Sequence, residues 1–303
     1  MNLKRVIMKN GIPDICCIGH ITHDRIVTPA HTVEMPGGTS FYFAHALGCL
    51  DPHCCRLVTA VGESELEAVE DIRRRGIDVK VLPSAQSVCF ENIYGANSDE
   101  RTQRVSAKAD PFTVEGLKDV DARFFHLGTL LADDFSLDVI ELLAGKGVLS
   151  VDAQGYLREV RGEDVVAVDW PGKVEALQHV HMLKANEMEM AVLTGHTDVR
   201  QAARQLAAWG VKEVLLTLGS MGSLIYADGR FHEIPAYRAE NVVDATGCGD
   251  TYMAGYLYMR DRGASPLEAG RFAAAMCTIK LGASGPFAAS EGDVLDVMRG
   301  ATC

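Results

Sequence analysis

The residues best suited to chemistry lie between 242 and 260, in VVDATGCGDTYMAGYLYMR. A β-branched run ends at Asp244, small residues follow at Ala245, Thr246 and Gly247, and Cys248-Gly249-Asp250 then opens an apolar, helix-like stretch. Two glycines flanking a small residue let consecutive backbone N–H groups converge on one point, and a helix start adds partial positive charge there. Such a cradle, made by Gly247, Cys248 and Gly249, suits a phosphoryl group in transfer. Asp250 beside it is placed to orient and deprotonate an attacking hydroxyl. A structural alternative stands next to this one: small and acidic residues are common at helix starts, and Asp250 would then be a helix N-cap.

The elements around this motif must present it at the edge of a core. DICCIGHI, from Asp14, reads as a buried strand, and after Pro36-Gly37-Gly38 the stretch TSFYFAHALGCL reads as a deeply packed helix. Arg56 to Ala60 returns as a strand, and Ser64 with Glu67 has the spacing of a capping box for ELEAVEDIRRRG. Strand and helix patterns resume after Phe112: RFFHLG, FSLDVIELLAG, GVLSVDA, a weaker strand near VVAVD, PGKVEALQH, HMLKAN, EMEMAVLTG, VRQAARQLAAWG and KEVLLTLG. A hairpin-like GSLIYADGRFHEIPA and two apolar helices follow, the second marked by Ser265, Pro266 and Glu268. This alternation predicts a mainly parallel sheet covered by helices on both faces, an α/β fold of three layers. The interval VLPSAQSVCFENIYGANSDERTQRVSA breaks it with a hairpin around the polar turn GANSDE. Paired with the segment after the first strand, it predicts a small β lid over about 22–36 and 79–108, on a single domain spanning 1–303.

Composition bounds the partners. The 303 residues are 48% hydrophobic, enough for one large core, and 29 basic against 41 acidic residues give a formal charge of −12. That field repels phosphodiester backbones, so nucleic acid is not an expected partner, while local N–H groups still permit a small anion. Nine cysteines at 16, 17, 49, 54, 55, 89, 248, 277 and 303 lack CxxC spacing and mostly sit in apolar surroundings such as ICCIG and AAMCTI. A reducing compartment follows, and MNLKRVIMKNGIPD lacks the apolar region of a secretory signal, so a cytoplasmic protein with no membrane partner is expected. Histidines at 20, 23, 31, 45, 53 and 126 form no compact zinc set.

DATGCGD, Gly37-Gly38 before a helix, Asn186 with Glu189, and Thr217 to Gly222 occur in one order, and in this the chain resembles the PfkB or ribokinase-like carbohydrate kinase family over nearly its full length. The resemblance implies an α/β/α sandwich with a β lid, ATP as usual donor and Mg2+, with K+ a further candidate. It makes Asp250 the catalytic base and Gly247, Cys248 and Gly249 the anion hole. KANEMEM is similar to an NxxE element in which Asn186 and Glu189 position magnesium and its waters; read structurally, Glu189 would be a solvated residue of a first helical turn. Thr217, Gly219 and Gly222 match a nucleotide-contacting strand edge and turn, Asp24 an aspartate that binds substrate hydroxyls, and Gly37 and Gly38 a glycine pair beneath the sugar. An asparagine usual a few residues later is replaced by Phe41, Tyr42 and Phe43, a departure from ribokinase and fructokinase proper.

DAQGYLR, HITHD and LKANE together look like the myo-inositol kinase branch. Arg158 is a candidate for binding an anion or a substrate oxygen, against the commoner fate of a surface salt bridge. Glu91 and Asn92 are lid residues that would reach a substrate, or simply the polar face of a strand. The expected activity is therefore phosphorylation of a hydroxyl on a small cyclic polyol or sugar, myo-inositol ahead of ribose, fructose and nucleosides. A binding or regulatory protein that has lost turnover is the alternative of another class. A dinucleotide oxidoreductase is disfavoured because no GxGxxG follows the first strand. Free edges of the lid sheet could pair with a symmetry mate, which leaves the oligomeric state open with a homodimer through the lid as one candidate.

Overall fold

A run that is apolar at every position, such as Ile15–Gly19, is stable as a strand where both faces are covered. In the computed structural model, which describes residues 13–28, 32–94 and 101–300, all five of its residues are buried. It is strand β1 (Ile15–Gly19), followed by β2 (Thr22–Val27), β3 (Thr32–Gly37), α1 (Thr39–Leu50), β4 (Cys55–Val61), α2 (Leu66–Arg74), β5 (Asp78–Pro83), β6 (Val88–Tyr94) and β7 (Arg101–Ala107). Next come α3 (Val114–Leu117), β8 (Phe124–Gly128), α4 (Leu137–Ala144), β9 (Val148–Asp152), β10 (Arg158–Arg161), β11 (Asp164–Ala167), α5 (Lys173–Ala176), β12 (Met182–Asn186), α6 (Glu187–Thr194) and α7 (Val199–Ala208). The chain continues with β13 (Glu213–Thr217), β14 (Ser223–Ala227), β15 (Arg230–Ile234), α8 (Cys248–Asp261), α9 (Pro266–Leu281) and α10 (Glu291–Gly300).

Nine strands form one sheet in the order β15-β14-β13-β12-β9-β8-β1-β4-β5, parallel from β13 through to β5 and antiparallel where β14 and β15 join. Strand alternation divides the core between its faces: Ile15 and Cys17 of β1 pack with α1, α8 and α9, whereas Cys16 and Ile18 pack with α4, α6 and α7. Met182 of β12 lies on the first face and Leu183 and Ala185 on the second, which turns Lys184 toward α8. The expected three-layer α/β architecture is therefore present.

A second sheet has the order β10-β11-β7-β6-β2-β3. Its membership differs from the expected lid. β5, inside the range 79–108, pairs in parallel with β4 in the large sheet, because Val79 and Val81 find apolar partners there. The strand near VVAVD, expected in the main alternation, is instead part of the β10–β11 hairpin and pairs with β7 through Asp164 and Arg104. The turn GANSDE lies outside the described residues, as do the N-terminal segment, His31 and Cys303.

Two end signals had different outcomes. Ser265 and Glu268 form the reciprocal capping box at the start of α9. Ser64 and Glu67 do not: residues 63–65 wind as a 3-10 turn, and α2 begins at Leu66 with Glu65 as N-cap and no side-chain cap. The Glu65 carboxylate is turned inward instead, 3.2 Å from His23 Nδ1. The eight cysteines among the described residues are free thiols. No helix among the described residues is long and apolar enough to cross a membrane.

Candidate active site

The turn before α8 explains its glycine. Asp244 Oδ1 accepts the Thr246 N–H at 2.9 Å, and Gly247 then adopts φ 76° as the N-cap of α8. That left-handed backbone favours glycine, and a Cβ there would lie 2.3 Å from the Tyr42 ring, so both conformation and space require it. Asp250 is consequently the third residue inside the helix and not its N-cap, which removes the capping alternative. Among the described residues, the N–H groups of Gly247, Gly249 and Asp250 have no acceptor, as expected of a helix first turn. The Cys248 N–H differs from expectation: it closes the turn onto the Ala245 carbonyl at 3.1 Å. The cradle that the backbone offers is thus Gly247, Gly249 and Asp250, with Cys248 shaping it.

Beneath the cradle lies a buried ion pair that the motif alone did not reveal. Lys184 and Asp152 are register partners on β12 and β9, and their charged groups meet at 2.9 Å with both side chains buried. A Cβ on Gly249 would stand 3.0 Å from the Lys184 Nζ, so the glycine lets the ammonium approach the helix start. Burial opposes the charged lysine, yet Asp152 and then Glu189 outweigh it and raise its pKa. Asp250 shows the converse. Although part of its surface remains exposed, burial pushes its carboxyl up to about 8, reinforced by Asp152 and opposed by Lys184 and Arg158. A carboxyl held near neutrality is what proton transfer to or from a hydroxyl uses best.

Asn186 and Glu189 serve two ends. The Asn186 side chain accepts the Glu189 N–H at 2.9 Å and Glu189 accepts the Asn186 N–H at 2.8 Å, a reciprocal cap on α6. Glu189 is 8% exposed, so the solvated-residue reading fails. Burial raises its pKa while Lys184 lowers it, Asp152 raises it further, and Arg158 also lowers it. Asp152, Glu189 and Asp250 therefore crowd three carboxyls around Lys184 and Arg158. Among the described residues, no set of three or more His, Cys, Asp or Glu forms a metal cage. The buried Glu189 carboxylate, at the carboxyl edge of the sheet, would suit a divalent cation that keeps its waters.

On the acceptor side, Thr22 Oγ1 donates to Asp24 Oδ1 at 2.7 Å. The other Asp24 oxygen lies directly over Gly37, where a Cβ would come within 2.3 Å of it. Gly38, at φ 89°, is the N-cap of α1, and a Cβ there would strike the His20 carbonyl at 2.5 Å. Tyr42, in the first turns of α1, joins this side to the cradle: it packs on Gly247, and its phenol is raised by burial and then by Asp24, Asp244 and Asp250. The replacement of a polar residue by an aromatic one in this stretch thus builds a wall between acceptor and cradle.

Glu91 is separated from the rest. It pairs in register with Arg25 and accepts its guanidinium at 2.6 Å, whereas Asp24 pairs with Phe90. Alternation along the strands sends Arg25 and Glu91 to the opposite face from Asp24, and places Asn92, which is buried, on the Asp24 face. Strand register, invisible in sequence, decides this. Thr217 is the register partner of Asn186 at the carboxyl edge of the sheet, where α/β folds bind ligands. Gly219 turns at φ 55° with open space, and Gly222 at φ 90° has the Ile234 carbonyl 2.1 Å from a Cβ position. Met188 and Met221, 77% and 78% exposed, leave apolar surface on the segments after these two strands.

Known proteins share both sequence and fold with this chain. The family model described as pfkB family carbohydrate kinase matches residues 13–291. A cytidine kinase of Thermococcus kodakarensis is 30% identical over 274 residues, covering 84% of this chain and 91% of that protein. A ribokinase-family pyrophosphate-dependent kinase, solved with a pyrophosphate analog and myo-inositol, superposes with a TM-score of 0.82 at 28% identity, over 93% of this chain and 99% of that one. Arabidopsis thaliana ribokinase, solved with ribose and ATP, has a TM-score of 0.75 at 20% identity, over 95% of this chain and 99% of that one, and shares the fold.

The raised Asp250 carboxyl makes stability depend on pH with a definite sign. In the unfolded chain the group loses its proton near 4, and in the folded one near 8, so folding binds a proton between those values. Its contribution is full below about 4 and is lost as pH rises through about 8. Urea unfolding of wild type and Asp250→Asn at about pH 5 and about pH 9 tests this: wild type is expected to lose stability relative to the variant at the higher pH. Parallel behaviour of the two proteins would show that Asp250 has ordinary acidity.

Proposed function

The chain belongs to the pfkB family of carbohydrate kinases, and from that premise we propose that it phosphorylates a hydroxyl of a small cyclic polyol or sugar, myo-inositol ahead of ribose and fructose, with ATP as donor. The observation that carries the reading is the place of Asp250 in the first turn of α8, beside the unpaired N–H groups of Gly247 and Gly249. The acceptor hydroxyl is held by Asp24 above Gly37 and Gly38 and gives its proton to the ionised Asp250 carboxylate as its oxygen bonds to phosphorus. The bond from phosphorus to the donor's bridging oxygen breaks, and charge on the transferring group is met by the cradle N–H groups and by Arg158, while Lys184 offsets the Asp152 carboxylate beneath them. Glu189, with Asn186 capping the same helix, would hold Mg2+, and the ion would supply charge neutralisation of the donor phosphates. Thr217, Gly219 and Gly222 border the donor, and the exposed Met188 and Met221 offer a nucleotide base apolar cover. Closure of the smaller sheet as a lid excludes water. The same reading places the enzyme in the cytoplasm and allows the outer strands β3 and β10 to pair with a second copy.

A nucleoside kinase is the second reading, favoured by the cytidine kinase relative. One experiment separates these from each other and from a protein without turnover. Purified protein is given Mg2+, either ATP or pyrophosphate, and a panel of myo-inositol, ribose, fructose and cytidine, with ADP or phosphate release and the phosphorylated product measured. The expected result is ATP-dependent phosphorylation of myo-inositol, reduced about a hundredfold or more in Asp250→Asn. Turnover with pyrophosphate alone would reassign the donor, preference for cytidine would reassign the acceptor, and near wild-type rates in a folded Asp250→Asn would remove Asp250 as base.

The face assignment in the smaller sheet gives a narrower expectation. Asn92→Ala should raise KM for the acceptor several-fold, the cost of one polar contact, whereas Glu91→Ala should leave it within about twofold. Steady-state kinetics over acceptor concentration checks this, and the reverse ranking would put Glu91 at the substrate.

A further inference from the structure

Lys280 is a buried cation that the catalytic reading above does not use. It lies in the last turn of α9 with a fully buried side chain. Its ammonium donates to the Asp244 main-chain carbonyl at 2.9 Å, to Asp244 Oδ2 at 3.2 Å and to the Ala283 carbonyl at 3.3 Å. All three of its N–H donors are thereby matched, which offsets the cost of taking the charge out of water. Two carbonyls and a carboxylate are also the kind of oxygen set that holds a dehydrated monovalent metal ion.

The position of this set ties it to the cradle. Asp244 uses its other oxygen to accept the Thr246 N–H, just before Gly247 turns into α8. The later turns of α9 hold the same segment three times more: the Val243 and Asp244 N–H groups donate to the Leu281 carbonyl at 2.7 and 3.4 Å, and the Cys277 thiol to the Cys248 carbonyl at 3.1 Å. The aim of the unpaired N–H groups of Gly247 and Gly249 therefore depends on where Asp244 is held. A monovalent ion such as K+, expected as a candidate cofactor, does not fit here while the chain's own ammonium fills the oxygen set.

We propose that Lys280 is a built-in cation for the phosphate cradle, a positioning residue that acts through Asp244 in place of a bound monovalent metal ion and makes turnover independent of added K+. The proposal rests on the kinase reading, and its test has a readout that does not. Wild type, Lys280→Ala and Lys280→Gln are compared in buffers of equal ionic strength containing K+, NH4+ or tetramethylammonium. Thermal melting is measured alongside phosphoryl transfer to the best acceptor. Wild type should show the same melting temperature and the same kcat within about twofold in all three buffers.

Lys280→Ala should lose about tenfold or more in kcat with a smaller change in acceptor KM. K+ or NH4+, but not tetramethylammonium, should raise its melting temperature and restore most of kcat. Lys280→Gln, which fills more of the space without the charge, should share the kcat loss and serves if the alanine variant does not fold. Stimulation of wild type several-fold by K+, or folded variants that keep full kcat or respond equally to all three cations, would overturn the proposal. If wild type transfers no phosphoryl group at all, the kinase reading fails separately. Selective stabilisation of Lys280→Ala by K+ or NH4+ would still support the cation site, and its absence would refute it.

Discussion

The ion pair between Lys184 and Asp152 constrains everything around the proposed reaction. A lysine inside a parallel strand, turned toward a helix, is tolerable only if its ammonium is matched where it lands, because an isolated buried charge costs several kcal/mol. The β9–β12 register supplies the match by setting Asp152 directly opposite. The pair then fixes what may lie above it. Gly249 must be small, since a Cβ would press on the ammonium, and Asp250, one residue on, is pushed up to about 8 by burial, with Asp152 adding to the shift and Lys184 opposing it. The same ammonium draws Glu189 down toward ionisation while burial drives it up. Burial and the balance of Lys184 and Arg158 against three carboxyls thus set the protonation of the cluster, and a neutral residue in place of Lys184 would leave Asp152 without its ion-pair partner in the core.

A second constraint joins the two sheets. Asp24 belongs to the smaller sheet and Asp250 to the helical layer of the larger one, and Tyr42 is the side chain that both approach. Its ring needs the bare backbone of Gly247, just as Asp24 needs that of Gly37. These glycines do different physical work. Gly247 and Gly38 have positive φ and supply conformation as well as space, while Gly37 and Gly249 supply space for a charged neighbour. The acceptor carboxylate and the base are consequently brought to one aromatic wall by backbone that cannot carry side chains.

What could be read in the sequence followed from how local each feature is. The start of α8, the strand ICCIG and the box of Ser265 with Glu268 depend on residues a few positions apart, and each was legible. Ser290 and Asp293, which cap α10, have the same local spacing. Lys184, a charge within the apolar run HMLKAN, was not singled out by its sequence, because its partner is 32 positions away and reachable only through strand register. Register also decided between Glu91 and Asn92, neighbours in sequence on opposite faces. β5 and the β10–β11 hairpin were misplaced because short strands of mixed polarity fit either sheet, and tertiary pairing chooses between them. Ser64 and Glu67 had the right spacing for a cap, yet the 3-10 turn places Leu66 as the first α-helical residue and leaves the pair out of phase.

The charge distribution resolves an apparent conflict in an acidic protein whose proposed donor and product are anions. A surplus of twelve negative charges spread over the surface is screened within about 8 Å at physiological salt. Lys184 and Lys280 are buried, where screening is weak and where each is held by fixed oxygens. One lies under Gly249 and the other behind Asp244, so the α8 start is flanked by two cations while the N–H groups of Gly247, Gly249 and Asp250 are left without a backbone acceptor. Neither lysine is free to neutralise a ligand by ion pairing, as each already has a carboxylate. Their effect is to cancel carboxylates that would otherwise oppose an anion at the cradle, leaving the backbone dipoles to set its position. Local neutralisation with directed N–H groups, more than net charge, is what an acidic chain needs in order to hold a phosphoryl group.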